Sequence, residues 1–259
     1  VEALLRIGRH HAGRALTIGY WGADYDTIYE YPVPLLVEAA ASFPKLHSLF
    51  LGDIPAEQSE ISWINHGDIT PLLEAFPNLE RLKVRGADGL VMEPVGHASL
   101  TALQFESGGF PAGVVRALAA SDLPNLAHLN LWLGEEAYGG DAAVDDLAGI
   151  LSGERLPSLR HLGLEDSELQ DEIAEAVAAA PVVARLESLS LAMGTLTDRG
   201  AEALLSGQPL THLRKLNLSY HYLSEPMMAR VRAALPGVEV DVDDRQESDE
   251  GEFYVEVGE

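Results

Sequence analysis

The pattern LxxLxL returns seven times along these 259 residues and constrains the chain more than any other feature. Its copies are Leu46-Leu49-Leu51, Leu79-Leu82-Val84, Leu100-Leu103-Phe105, Leu126-Leu129-Leu131, Leu159-Leu162-Leu164, Leu186-Leu189-Leu191 and Leu213-Leu216-Leu218. A weaker first copy has Leu16 with Ile18, and a degenerate last one has Leu235-Val238-Val240. Successive first leucines lie 33, 21, 26, 33, 27 and 27 residues apart. At such a period each copy is one unit that buries its apolar side only by stacking on its neighbours.

The alternation in LxL reads as a short strand, and most copies continue into apolar residues at helical spacing. Examples are Val114-Val115-Leu118, Val144-Leu147-Ile150-Leu151, Ile173-Val177 and Ala203-Leu204. Asp141, Asp171, Thr197 and Ser224, the last followed by Pro226, read as helix N-caps. Repeated strand–helix units place a parallel sheet on one side of a right-handed stack. Helices need about 10 Å of width and strands about 4.8 Å, so the sheet must line the concave side. The 21-residue step leaves no room for a full helix, and RGADGLVMEPVGHAS (85–99) should be an extended loop.

These residues resemble the leucine-rich-repeat superfamily, in its helix-bearing, ribonuclease-inhibitor-like class. FPKLHSLFLGDI, YGGDAAVDDLA and QPLTHLRKLNLSYHYLSE are similar to a bacterial family of stand-alone cytoplasmic leucine-rich-repeat proteins. The resemblance implies an α/β solenoid of about eight repeats plus a C-terminal cap. Residues 1–242 then form one domain, with repeats from about 13, and 243–259 form an acidic tail. The Asn usual at the end of LxxLxLxxN is replaced by Ser167, Gly194 and His221, so a continuous Asn ladder is not expected.

Composition narrows the function. With 17 Lys and Arg against 41 Asp and Glu the net charge is −24, which argues against nucleic acid or an anionic membrane as the main partner. No run of about 18 uncharged apolar residues is present. The start, VEALLRIGRHHAGR, lacks the apolar centre of a secretory signal, so a cytoplasmic setting is expected. The absence of cysteine removes disulfides, thiolate metal sites and cysteine nucleophiles. It also closes the ligase reading that bacterial leucine-rich-repeat effectors would suggest. GxSxG, HExxH and GKS/T motifs are missing, so no catalytic residue, cofactor or metal is assigned. The last 21 residues carry ten acids against Arg245; Phe253, Val255 and Val257 alternate there, yet a frayed tail is the expected state.

Side chains alternate along strands, which defines three rows on the concave face. The first reads Ser48, Arg81, Ala102, His128, His161, Ser188, Lys215, and the second Phe50, Lys83, Gln104, Asn130, Gly163, Ser190, Asn217. The third reads Gly52, Arg85, Glu106, Trp132, Glu165, Ala192, Ser219. Arg81, Lys83 and Arg85 form a basic stripe, either neutralised locally by Glu106 or left to anchor an acidic partner. His128 and His161 should be ladder neighbours, as ordinary surface residues or a pH-sensitive contact, with no third ligand to suggest a metal.

The three tryptophans fall in the three long copies: Trp21, Trp63 and Trp132. Tyr20, Tyr25, Tyr29, Tyr31 and Tyr138 share those copies, and Tyr220 and Tyr222 continue the series. All leave one end of the sheet and should line one rim, where they either pack on each other or hold a partner. The expected function is a non-catalytic protein-interaction module, monomeric, acting through the concave face and this rim on an unidentified protein. The alternative, from analogy with helix-bearing leucine-rich-repeat GTPase activators, is regulation of a nucleotide-hydrolysing partner; no arginine can be assigned to it.

Overall fold

A computed structural model describes residues 13–22 and 31–258. Each LxL becomes a strand, and consecutive strands pair in parallel: β1 (Ala15–Ile18), β2 (Ser48–Leu51), β3 (Arg81–Arg85), β4 (Ala102–Glu106), β5 (His128–Gly134), β6 (His161–Ser167), β7 (Ser188–Ser190), β8 (Lys215–Asn217) and β9 (Glu239–Asp241). The weak first and degenerate last copies therefore both form strands. Register follows the repeat: Leu49, Leu82, Leu103, Leu129, Leu162, Leu189 and Leu216 are successive ladder partners. All seven are buried in one continuous core with Leu46, Leu79, Leu100, Leu126, Leu159, Leu186 and Leu213.

The helices cover the other side of the leucine layer. They are α1 (Pro32–Glu38), α2 (Thr70–Ala75), α3 (Ala112–Ala120), α4 (Ala148–Ser152), α5 (Gln170–Ala178), α6 (Asp198–Ser206) and α7 (Glu225–Ala234). Val114, Val115 and Leu118 of α3 and Ile173 and Val177 of α5 are buried, as their spacing predicts. Between β3 and β4 no helix forms, as the 21-residue step predicts, and isolated bridges such as Asp68–Val91 and Gly96–Asp122 tie the loop to its neighbours.

Helix capping crosses repeat boundaries. Thr197 and Ser224 cap their own helices, accepting from the amides of Arg199 and Met227. Asp141 and Asp171, expected to do likewise, do not. Asp141 accepts from the Ala112 amide at the start of α3, one repeat back. Asp171 lies inside α5 and accepts from the Thr197 and Gly200 amides of α6. Asp198 repeats the arrangement for α7, accepting from the Ser224 amide and hydroxyl. A carboxylate thus satisfies orphan amides of a neighbouring helix, and stacking and capping become one interaction.

At one position of the missing Asn ladder a histidine takes over the main-chain bridging. His221 is fully buried, with Nε2 3.2 Å from the Val242 carbonyl and Nδ1 accepting from the Leu223 amide. His97 bridges the Phe76 carbonyl and Leu100 amide in the same way. An imidazole has one donor and one acceptor, so it spans two main-chain groups as an Asn amide would.

The C-terminal segment is not frayed. After β9 the chain turns between Asp249 and Glu252 and runs back across the ends of the strands as a strap. Phe253 packs edge-on against Tyr222, ring centroids 4.7 Å apart. Tyr222 Oη both donates to the Tyr254 carbonyl and accepts its amide, and Tyr220 Oη donates to the Val255 carbonyl. The Glu256 amide donates to the Met193 carbonyl, the Val257 amide to Asp166 Oδ1, and Ser62 Oγ to the Gly258 carbonyl. Asp166, Met193 and Tyr220 lie 27 residues apart, and all three have positive φ (54°, 68° and 53°). A left-handed non-glycine residue is strained by about 1 kcal/mol or more. Here the strained positions are the ones that meet the strap.

Candidate binding surface

The first two inward rows pair as read from the sequence; of the third, Arg85 pairs with Glu106 and Trp132 with Glu165, and the rest lies outside the ladder. Ser48 pairs with Arg81, Ala102, His128, His161, Ser188 and Lys215 in turn, and Phe50 with Lys83, Gln104, Asn130, Gly163, Ser190 and Asn217. Their centre forms an open hollow of about 420 Å³ on the concave face, spanning β2 to β7.

The basic stripe is partly neutralised. Glu106 is buried, with Lys83 Nζ 2.6 Å from Oε1 and Arg85 Nε 2.8 Å from Oε2. Lys83 also lies over the Phe50 ring, 4.6 Å from its centroid, with the Arg85 guanidinium at 5.9 Å. One carboxylate therefore serves two cations. Arg81 is exposed and has no ion-pair partner among the described residues.

Further along the hollow the His128 and His161 rings stack at 4.0 Å and 8°. Burial, His161 and Arg81 hold the His128 pKa below the ordinary histidine value. His161 Nδ1 lies 2.7 Å from Ser188 Oγ. No group of three or more His, Asp or Glu is placed to hold a metal among the described residues. Glu165 accepts from Asn130 Nδ2 and Trp132 Nε1, which fixes Trp132 against the inner face.

The aromatics divide into three settings. Trp21 is half-buried and packs edge-on against Tyr31 and His66, with centroids at 6.1 and 5.3 Å. Tyr31 Oη lies 3.2 Å from His66 Nδ1, and His66 Nε2 lies 2.8 Å from the Arg85 carbonyl. Burial pushes the His66 pKa down to about 4 and that of Tyr31 up, so both are neutral at pH 7. This cluster closes the edge of the core. Tyr138, Tyr220 and Tyr222 meet the strap, with Gly258 seated against the Tyr138 ring. Tyr20 and Trp63 are exposed, and Trp63 Nε1 donates to Glu60. Trp63 and Tyr138 line a separate rim hollow of about 480 Å³. Tyr25 and Tyr29 lie outside the described residues.

Sequence reading missed His66 and the strap. The signal for His66 was its place in the same insertion as Trp63. That for the strap was the Phe253-Val255-Val257 alternation facing a 27-residue series.

A single parallel sheet with one strand per leucine repeat and helices on the far side defines a leucine-rich-repeat solenoid. The Leucine Rich repeat family profile matches residues 186–205. A crystal structure of a Bacteroides fragilis protein is 36% identical, covering 94% of this chain and 68% of that one, with a TM-score of 0.86. The chain belongs to the leucine-rich-repeat proteins. An internalin from Listeria monocytogenes is 15% identical over 80% of this chain and 70% of its own, with a TM-score of 0.31. No curated protein matches the chain. No helix among the described residues is long and apolar enough to cross a membrane.

Proposed function

We propose that the chain is a non-catalytic protein-interaction module that holds a partner against the concave face between β2 and β7, with Trp63 and Tyr20 at its border. The hollow over the first two inward rows carries this reading: it is open, polar at its edges and floored by a sheet whose register is fixed by seven buried leucines. A rigid floor lowers the ordering cost of binding. The strap fills the rim from Tyr222 to Tyr138, which leaves the sheet face and the Trp63 insertion for a partner. A contact of ordinary size, about 800 Å² per side, would extend beyond the hollow onto both.

The test is affinity capture with Ala102→Trp, which fills the hollow, beside Gly113→Trp on the exposed side of α3. The expected result is a partner held by the unaltered protein and by the α3 variant but lost by the hollow variant. Retention of every partner by a folded Ala102→Trp protein would overturn the reading.

A further inference from the structure

We infer that the occupant of the concave hollow is an extended acidic peptide segment, an inference that rests on the interaction-module reading and deepens it. The argument begins with what the inward rows leave out. From β1 to β8 neither of the first two rows contains an Asp or Glu, in a chain with 41 of them; the rows hold Arg81, Lys83, paired with Glu106, and Lys215, paired at 3.2 Å with Glu239 of β9. The acids of the third row are already engaged, Glu106 by Lys83 and Arg85 and Glu165 by Asn130 and Trp132. A lane without a free carboxylate therefore crosses an otherwise acidic body from β1 to β8, and Arg81 stands in it without an ion-pair partner among the described residues. Such complementarity selects partners and steers their approach.

A second observation points to main chain in the same lane. Asn130 Oδ1 and Ser190 Oγ are both buried without a hydrogen-bond partner, on either side of Gly163 in one ladder row. Leaving such groups unpaired is costly, so both stand to gain a partner when the hollow is filled. Both atoms are covered, so a side-chain rotation must turn Asn130 Oδ1 and the Ser190 hydroxyl outward before the N–H and carbonyl of an extended peptide can pair with them. Gly163 keeps the floor between them low, since a Cβ there would come within 2.5 Å of Asn130 Nδ2. From Arg81 on β3 to Lys215 on β8 is five strand spacings, about 24 Å, which about seven extended residues span. A nucleic acid strand carries the right sign for the lane. It would bring more charge than the lane can neutralise against a body of net charge −24.

Binding of fluorescein-labelled decaglutamate to the full chain, read by anisotropy at about 20 mM salt, tests the inference. We expect saturable binding that weakens steeply as salt rises toward about 200 mM. Arg81→Glu should weaken it at least about fivefold, with Arg81→Gln between the two. Because Arg81 is exposed, neither change threatens the fold, and circular dichroism would confirm this. A neutral Gly-Ser decapeptide and a ten-nucleotide dT strand should bind at least tenfold more weakly. Absence of decaglutamate binding, indifference to Arg81→Glu, or tighter binding of the dT strand would each overturn the inference. If a partner is nevertheless lost from Ala102→Trp, the module reading stands and only the acidic occupant fails.

Discussion

Replacing Asp166 with Asn should flatten the pH dependence of this protein's stability. Asp166 lies one residue before the end of β6, is fully buried and accepts from the Val257 amide at Oδ1, while Oδ2 has no partner. Burial, and then Glu256, Glu135 and Glu165, push its pKa from 3.8 to about 8, against the opposing pull of the Val257 amide. At neutral pH the folded protein thus holds a proton that the unfolded chain releases. Stability from this group is full below about pH 4, falls as pH rises toward about 8, and is constant beyond. Each pH unit in that window costs at most about 1.4 kcal/mol, and the whole interval at most roughly 6 kcal/mol. Asn keeps the acceptor and has nothing to titrate. Urea unfolding of both proteins from pH 5 to pH 8 should show the variant gaining about 1 kcal/mol per pH unit on the parent. Its unpartnered amide offsets that gain by a constant 1–3 kcal/mol or so. Parallel curves would refute the assignment of a neutral Asp166.

Three further outcomes follow from the same contacts. Asp171→Ala removes the acceptor for two α6 amides and should cost about 1–3 kcal/mol, measured by denaturant unfolding, with hydrogen exchange rising first in α6 rather than α5. Leu164→Ala, in the middle of the leucine layer, should cost about 2–5 kcal/mol in the same assay. Tyr220→Phe with Tyr222→Phe takes three hydrogen bonds from the strap and should raise amide exchange of Glu256 and Val257 and trypsin cleavage after exposed Arg245, while β2–β5 keep their protection.

The periodicity made the sheet legible because a strand's two faces are set by residue parity alone. Leu49 and Phe50 could be assigned to opposite faces, and the first two inward rows, including the His128–His161 pair, could be written down in register. Local signals failed where the partner of a group belongs to another repeat. Asp141 and Asp171 look like N-caps of their own helices, yet they serve helices one repeat away, a distinction that depends on stacking geometry. The strap failed for a related reason. Its acids suggest solvation, whereas its docking depends on three left-handed residues, Asp166, Met193 and Tyr220, whose conformation no propensity announces. Trp21 was legible as a rim residue, but its closure over His66 and Tyr31 depends on two insertions meeting in space.

The central claim, that the concave sheet is where this protein meets its partner, is tested most directly by photo-crosslinking in a lysate of the native cells. A photoreactive phenylalanine at Ala102 stands in the hollow, and the same residue at Gly113 stands on the exposed side of α3. The account predicts one discrete adduct at position 102 that Arg81→Glu diminishes, and none at position 113. Adducts at position 113 with none at position 102 would contradict it.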